Sequence, residues 1–161
     1  MAPAIKAIPE GFHTLTPGLV VKDGSRAIDF YKKAFGAEEI LRMPGPGGKG
    51  VMHAELQFGD SRLFLSDEMP GMNTAPETLK GTTQTVYMYV QDVDALFNRA
   101  VSAGAKVVFP LADMFWGDRF GKVADPFGHE WALASHKEEV PPQEMAERSK
   151  AFMEQMSKQR G

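Results

Sequence analysis

The chain of 161 residues contains no cysteine. Disulfides, thiolate metal sites and a cysteine nucleophile are thereby excluded, which suits a reducing compartment. It also lacks an excess of charge of either sign: 18 Lys and Arg stand against 21 Asp and Glu, for a net charge of -3. The basic residues are scattered, so no segment looks like a phosphate-neutralising face and nucleic acid is not expected as a partner. No apolar run reaches the length of a membrane span, and the opening "MAPAIKAIPEGF" is not built like a signal peptide. A cytoplasmic protein without membrane contact is the expectation. What remains is an ordinary globular mix, 43% apolar and 24% charged, in a length that suits one domain with a sizeable core.

Within that length one pattern occurs twice. "HTLTPGLVV" reads as a strand, and "GSRAIDFYKKAFG" as a helix with Ser25 as N-cap and Gly36 as stop signal. "EEILRM", "VMHAELQF" and "SRLFLSDE" follow as strands, the last two joined at Gly59-Asp60 in the manner of a hairpin. The second half repeats the order with "TQTVYMYV", the helix "VDALFNRAVSAGA", then "KVVFPLA", "FGKVADPFG" and "EWALAS". Asp23 and Asp92 lie 69 residues apart, as do Gly59 and Gly128, while Gly36 and Gly104 lie 68 apart. Such a period indicates a duplicated β-α-β-β-β unit. Between the units, Met69 to Thr83 is a polar loop without periodicity, suited to a lid or the edge of a cleft. After Pro141-Pro142 a helix begins with Met145, Phe152 and Met156 on one side, as for a tail docked on the body or on a second subunit.

Two such units in tandem, with "FYKKAFGAEE", "MHAELQFGDSRLFLSDE", "VDALFNRAVSAGA" and "WGDRFGKVADPFGHEW" in this order, resemble the vicinal oxygen chelate superfamily of glyoxalases, bleomycin resistance proteins and extradiol dioxygenases. The PhnB-like branch is the most similar. The resemblance implies an α+β fold of tandem βαβββ modules, about residues 12–68 and 83–138, forming a curved mixed sheet with a concave cleft. Residues 1–138 would make the domain and 139–161 a C-terminal helical tail. It also implies a homodimer that completes the cleft.

Metal-dependent members of that family carry His, Gln or Glu on the first strand of each module and a Glu after a D-P-x-G turn. Here the corresponding positions are Thr16 and Thr85, Ala132 in "DPFGHEWAL", and Leu63 by the repeat. None is an ordinary ligand for a divalent ion. The expectation is a protein without a metal cofactor. His129 and Glu130 stand beside the turn at places suited to hairpin capping or a supporting hydrogen bond.

Strand alternation supplies other candidates. Met52, Ala54, Leu56 and Phe58 would face the helices, leaving His53, Glu55 and Gln57 on the opposite face. His53 and Glu55 can touch, either as general base and ligand anchor or as a surface ion pair. Thr85, Tyr87 and Tyr89 share one face of the next module's first strand, where the rings offer flat apolar area with hydroxyl handles, or else cross-strand packing. In "DMFWGDRFG", Phe115 and Trp116 are suited to walling a pocket, with Arg119 gripping an anion or pairing with Asp118. Two functions stay open. One is a binding protein for a planar or aromatic small molecule, held by Thr16, Gln57, Thr85, Tyr87, Tyr89, Phe115, Trp116 and Arg119. The other is a glyoxalase-like lyase or isomerase using His53 and Glu55, with or without a weakly held Zn, Ni, Mn or Fe.

Overall fold

Both units carry the element order that their repeat demands. In the computed structural model, which describes residues 5–159, the first unit comprises β1 (Gly18–Val21), α1 (Gly24–Phe35), β2 (Glu38–Pro44), β3 (Val51–Phe58) and β4 (Ser61–Asp67). The second comprises β5 (Thr85–Tyr89), α3 (Val93–Ala103), β6 (Lys106–Asp113), β7 (Asp118–Ala124) and β8 (Glu130–His136), with α2 (Pro76–Leu79) between the units and α4 (Pro142–Gln159) after them. Each unit forms a mixed four-stranded sheet, ordered β1-β4-β3-β2 and β5-β8-β7-β6. The first strand of each pairs in parallel with the last. The expected α+β fold of tandem modules is present, each module keeping a mixed sheet of its own, since among the described residues no ladder joins β1 to β5.

Local chemistry departs from the sequence reading in a few places. β1 begins only at Gly18, because Pro17 has no N–H to give a ladder. The N-cap of α1 is Asp23 rather than Ser25: its carboxylate accepts from Arg26 N at 3.0 Å, as Asp92 does from Ala95 N at the start of α3. The linker is ordered. Glu68 accepts from Ala75 N and Thr78 Oγ1, and Asn73 accepts from Met69 N, which together fold it into a turn and the short α2. Met52 is exposed rather than covered by a helix, since the register shifts between the pairs Met43–His53 and Pro44–Val51, and Val51 takes the buried place instead.

The two units cannot be separated without exposing aromatic rings. Trp131 of β8 is 0% exposed and packs within 5.2 Å of Tyr31, 4.6 Å of Phe35 and 5.5 Å of Phe58, all from the first unit. Burying each such ring is worth on the order of 3 kcal/mol. The polar edges of this cluster are satisfied by Asp125, whose carboxylate accepts from Tyr31 Oη at 2.6 Å, Trp131 Nε1 at 2.9 Å, and the backbone of Phe127 and His129. The "DPFG" turn is thus a joint between units as well as a hairpin. His129, buried, adds a second joint by donating Nε2–H to the Val20 carbonyl at 2.8 Å. Arg99 of α3 adds a third, donating to the carbonyls of Lys33 and Lys32 that end α1.

Candidate ligand-binding face

Sheet alternation leaves one face of each sheet outside the shared core, and the second unit's open face is built from aromatic rings. Its rows follow from the ladder register: Tyr87, Ala132, Lys122 and Phe109 in one, Tyr89, Ala134, Phe120 and Ala112 in the next, and His136 beside Asp118 beyond them. Small residues on β8 leave room for the rings of its neighbours to close over it. The Tyr87 and Phe120 rings stand 5.8 Å apart across β8, Tyr87 and Tyr89 5.0 Å, Phe109 and Phe120 5.8 Å, and Trp116 and Phe120 5.7 Å. Ala132 and Ala134 are consequently buried although they lie outside the main core.

Asp118 organises this face. Only 2% exposed, it accepts from Tyr87 Oη at 3.2 Å, Tyr89 Oη at 2.9 Å and Trp116 Nε1 at 3.0 Å on one oxygen, and from His136 Nδ1 at 2.8 Å on the other. Burial alone would push its carboxyl up, but the hydrogen bonds from His136, Tyr89, Trp116 and Tyr87 prevail and hold it below the usual carboxylate range. The tyrosines answer in the opposite sense. Burial raises Tyr87 well above an ordinary phenol, helped by Tyr89 and Asp118, and the Asp118 hydrogen bond raises Tyr89. Both stay neutral hydroxyls across the physiological range. His136 is raised by Asp118 and by Glu139, whose carboxylate lies 3.1 Å from Nε2.

Gly117 permits the turn that delivers Trp116 and Asp118. Its φ of 96° lies in the left-handed region, and a side chain there would collide with the Glu138 carbonyl. Gly121 serves packing instead, since a Cβ there would stand 2.6 Å from the Phe97 ring of α3.

The sequence candidates divide accordingly. Tyr87, Tyr89 and Trp116 come together on this face. Thr85 stands at its other end, 3.5 Å from Glu130, which is ion-paired with Lys122. Phe115 borders the face, its ring edge-on to Trp116 with centroids 5.0 Å apart and packed on Phe152 of α4 at 5.2 Å. Along the tail Met145 and Phe152 are half-buried, whereas Met156 is exposed. Arg119 pairs with neither Asp118 nor an open site: alternation sends it to the opposite face, where Asp94 takes it bidentately at 2.6 Å and Asp113 at 3.2 Å. Asp118, Phe120, Phe109 and His136 were missed. The signal was the two-residue alternation Asp118, Phe120, Lys122, which separates Asp118 from its neighbour Arg119.

On the open face of the first sheet, His53 Nε2 lies 3.6 Å from Glu55 Oε1, and the His53 ring stands 4.8 Å from Phe64. Gln57 turns its amide to the Gly59 carbonyl, and Thr16 lies in the segment before β1. Among the described residues no hydrogen bond or ring contact joins His53 and Glu55 to Tyr87 and Tyr89.

The register also corrects the repeat. Gly18 pairs with Phe64 and its counterpart Tyr87 with Ala132, so the last strands are offset by 68 residues and Phe64, not Leu63, matches Ala132. Leu63 faces the core. The four equivalent positions are therefore Thr16, Thr85, Phe64 and Ala132, whose hydroxyls, phenyl ring and methyl do not make a donor set for a divalent ion. Among the described residues no three His, Asp or Glu side chains converge as metal ligands. No helix among them is long and apolar enough to cross a membrane.

Known proteins share this architecture. The structure of TioX from Micromonospora sp. ML1 aligns with a TM-score of 0.63 at 32% identity, covering 77% of this chain and 98% of that one. The Arabidopsis thaliana gene product At5g48480 aligns with a TM-score of 0.61 at 33% identity, covering 76% and 98%. The uncharacterized protein Rv0887c of Mycobacterium tuberculosis is 50% identical over 130 residues, 78% of this chain and 76% of its own. Residues 11–133 match the Glyoxalase/Bleomycin resistance protein/Dioxygenase superfamily. With that match and the doubled β-α-β-β-β fold, the chain belongs to the glyoxalase/bleomycin resistance protein/dioxygenase superfamily.

Proposed function

We propose that this is a cytoplasmic, homodimeric member of the PhnB-like branch that binds a planar or aromatic small molecule without a metal centre. The observation that carries this reading is the ring face arranged around Asp118. The hydroxyls of Tyr87 and Tyr89 and the indole N–H of Trp116 all donate inward to Asp118. What they offer outward is π-surface and hydroxyl lone pairs. The favoured ligand is flat and brings its own N–H or O–H donors to the edge of the platform. The open face of the first sheet, with His53, Glu55 and Phe64, would supply the opposite wall from a second subunit.

The test is calorimetric titration of a panel of planar heteroaromatics against the wild type and the Phe120→Ala and Tyr87→Ala variants, with elemental analysis of protein purified without chelator. We expect saturable binding weakened at least tenfold by either substitution, and no stoichiometric Zn, Ni, Mn or Fe. A tightly held divalent ion would overturn the reading. So would turnover of an enolisable α-keto substrate that His53→Ala abolishes, because the close His53–Glu55 pair would then be a catalytic base.

A further inference from the structure

A cavity of about 480 Å³ opens along the free edge of β5, where the two units meet. One wall is apolar, from Val86, Met88, Phe58 and Trp131, and the other is made by Leu15, Pro17 and the β3–β4 turn. Among the lining residues Arg62 is the single cation. Its Nε and Nη1 are buried and have no hydrogen-bond partner. By contrast Arg42, Arg99, Arg119 and Arg148 all donate to oxygen acceptors.

An unmade hydrogen bond on a buried donor costs about 1–3 kcal/mol, and more where the group is charged. Phe12 offers only a partial remedy, its ring centroid 5.5 Å from the Arg62 Cζ. The segment that lays Phe12 there, residues 11–17, is neither helix nor strand. It is tied to the first sheet by His13 Nε2 on the Asp60 carbonyl, by the Phe64 N–H on the Pro17 carbonyl and by the contact of Phe12 with Phe64. Displacing Phe12 to admit an acceptor therefore breaks no strand ladder beyond Pro17. The acceptor that matches a guanidinium fork is a carboxylate, which takes two parallel N–H bonds. A dianion fits less well, because Arg62 is the only cation and Asp60 also lines the cavity.

We infer that this cavity binds an amphipathic monocarboxylate, its apolar body against Val86, Met88 and Phe58 and its head group on Arg62. The cavity shares Tyr87 and Tyr89 of β5 with the aromatic face, but its cation and its apolar wall lie outside that face. The inference therefore does not rest on that reading, and Phe120→Ala rather than Tyr87→Ala tells the two sites apart.

Octanoate, below its aggregation limit, is the probe, with 1-octanol and octylammonium as controls in calorimetric titration of the full chain. One octanoate per chain is expected, with octylammonium at least tenfold weaker. Arg62→Met should weaken octanoate at least tenfold while leaving octanol unchanged, and Met88→Trp, which fills the cavity, should abolish both. Circular dichroism checks each fold. If Arg62→Met does not fold, Arg62→Lys keeps the charge without the fork and should give a smaller but measurable loss. Absence of octanoate binding, or equal binding by the Arg62 variants, overturns the inference. Binding that appears only on dilution to the monomer also overturns it, since a second copy would then be the occupant. Phe120→Ala lies outside the cavity lining, so its effect on planar ligands reports on the aromatic face alone.

Discussion

Asp118 shows how one buried carboxylate can set the chemistry of a surface. Its partners come from β5, from the turn before β7 and from β8, so three segments are held by two oxygen atoms. The link to His136 makes part of this arrangement titratable. The folded protein raises the pKa of His136 above its ordinary 6.5, through the Asp118 hydrogen bond and then Glu139. The contribution of the charged pair is therefore complete below about pH 6.5 and is lost as the pH climbs through the raised value. Asp118, lowered from 3.8, contributes above that value and loses its contribution as the pH falls through the lowered one. Thermal melts of the wild type should thus show a decline on the alkaline side of 6.5, with a flatter profile in His136→Asn. An identical decline in the variant would assign it to another group.

At the level of elements, the units are joined by side chains that reach past their own module. Arg99 satisfies two carbonyls at the end of α1 from a position on α3. Arg99→Ala should cost about 1–2 kcal/mol in denaturant unfolding, with Arg99→Lys recovering part of it. A loss near zero would mean that water replaces the bonds without penalty. By contrast α4 carries no buried residue and rests on Phe115 and the Arg148–Glu138 pair. The helices themselves were legible in the sequence, since Gly36 and Gly104 stop them and their apolar residues recur at three and four. β1 and the linker were less so. Pro17 shortened the first, and the folding of the second depends on Glu68 and Asn73, whose partners a periodicity cannot reveal.

For the whole molecule, the shared core leaves both open faces directed away from it, and apolar residues remain there. Tyr89 is 62% exposed and Tyr87 45%, while Leu41, Met43 and Phe109 are also exposed. Such surface on a protein of this size favours self-association. Light scattering after size exclusion should give about twice the 17.7 kDa chain mass, and Tyr89→Glu should shift it toward the monomer. A single species at the chain mass over a wide concentration range would remove the dimer from the proposal.

Sequence alone determined the doubled β-α-β-β-β order, the faces of β5 and β8 that meet the core and the absence of ordinary metal ligands at Thr16 and Thr85. These follow from periodicity and residue type, which are local. Tertiary structure decided that Phe64 and not Leu63 is the counterpart of Ala132, because register is set by pairing across the sheet. It alone placed Asp118 among Tyr87, Tyr89, Trp116 and His136, and sent Arg119 to Asp94. Apart from Trp116, two residues from Asp118, these partners lie 18 to 31 residues apart in the chain and meet only once the strands have paired, so no local pattern encodes their meeting.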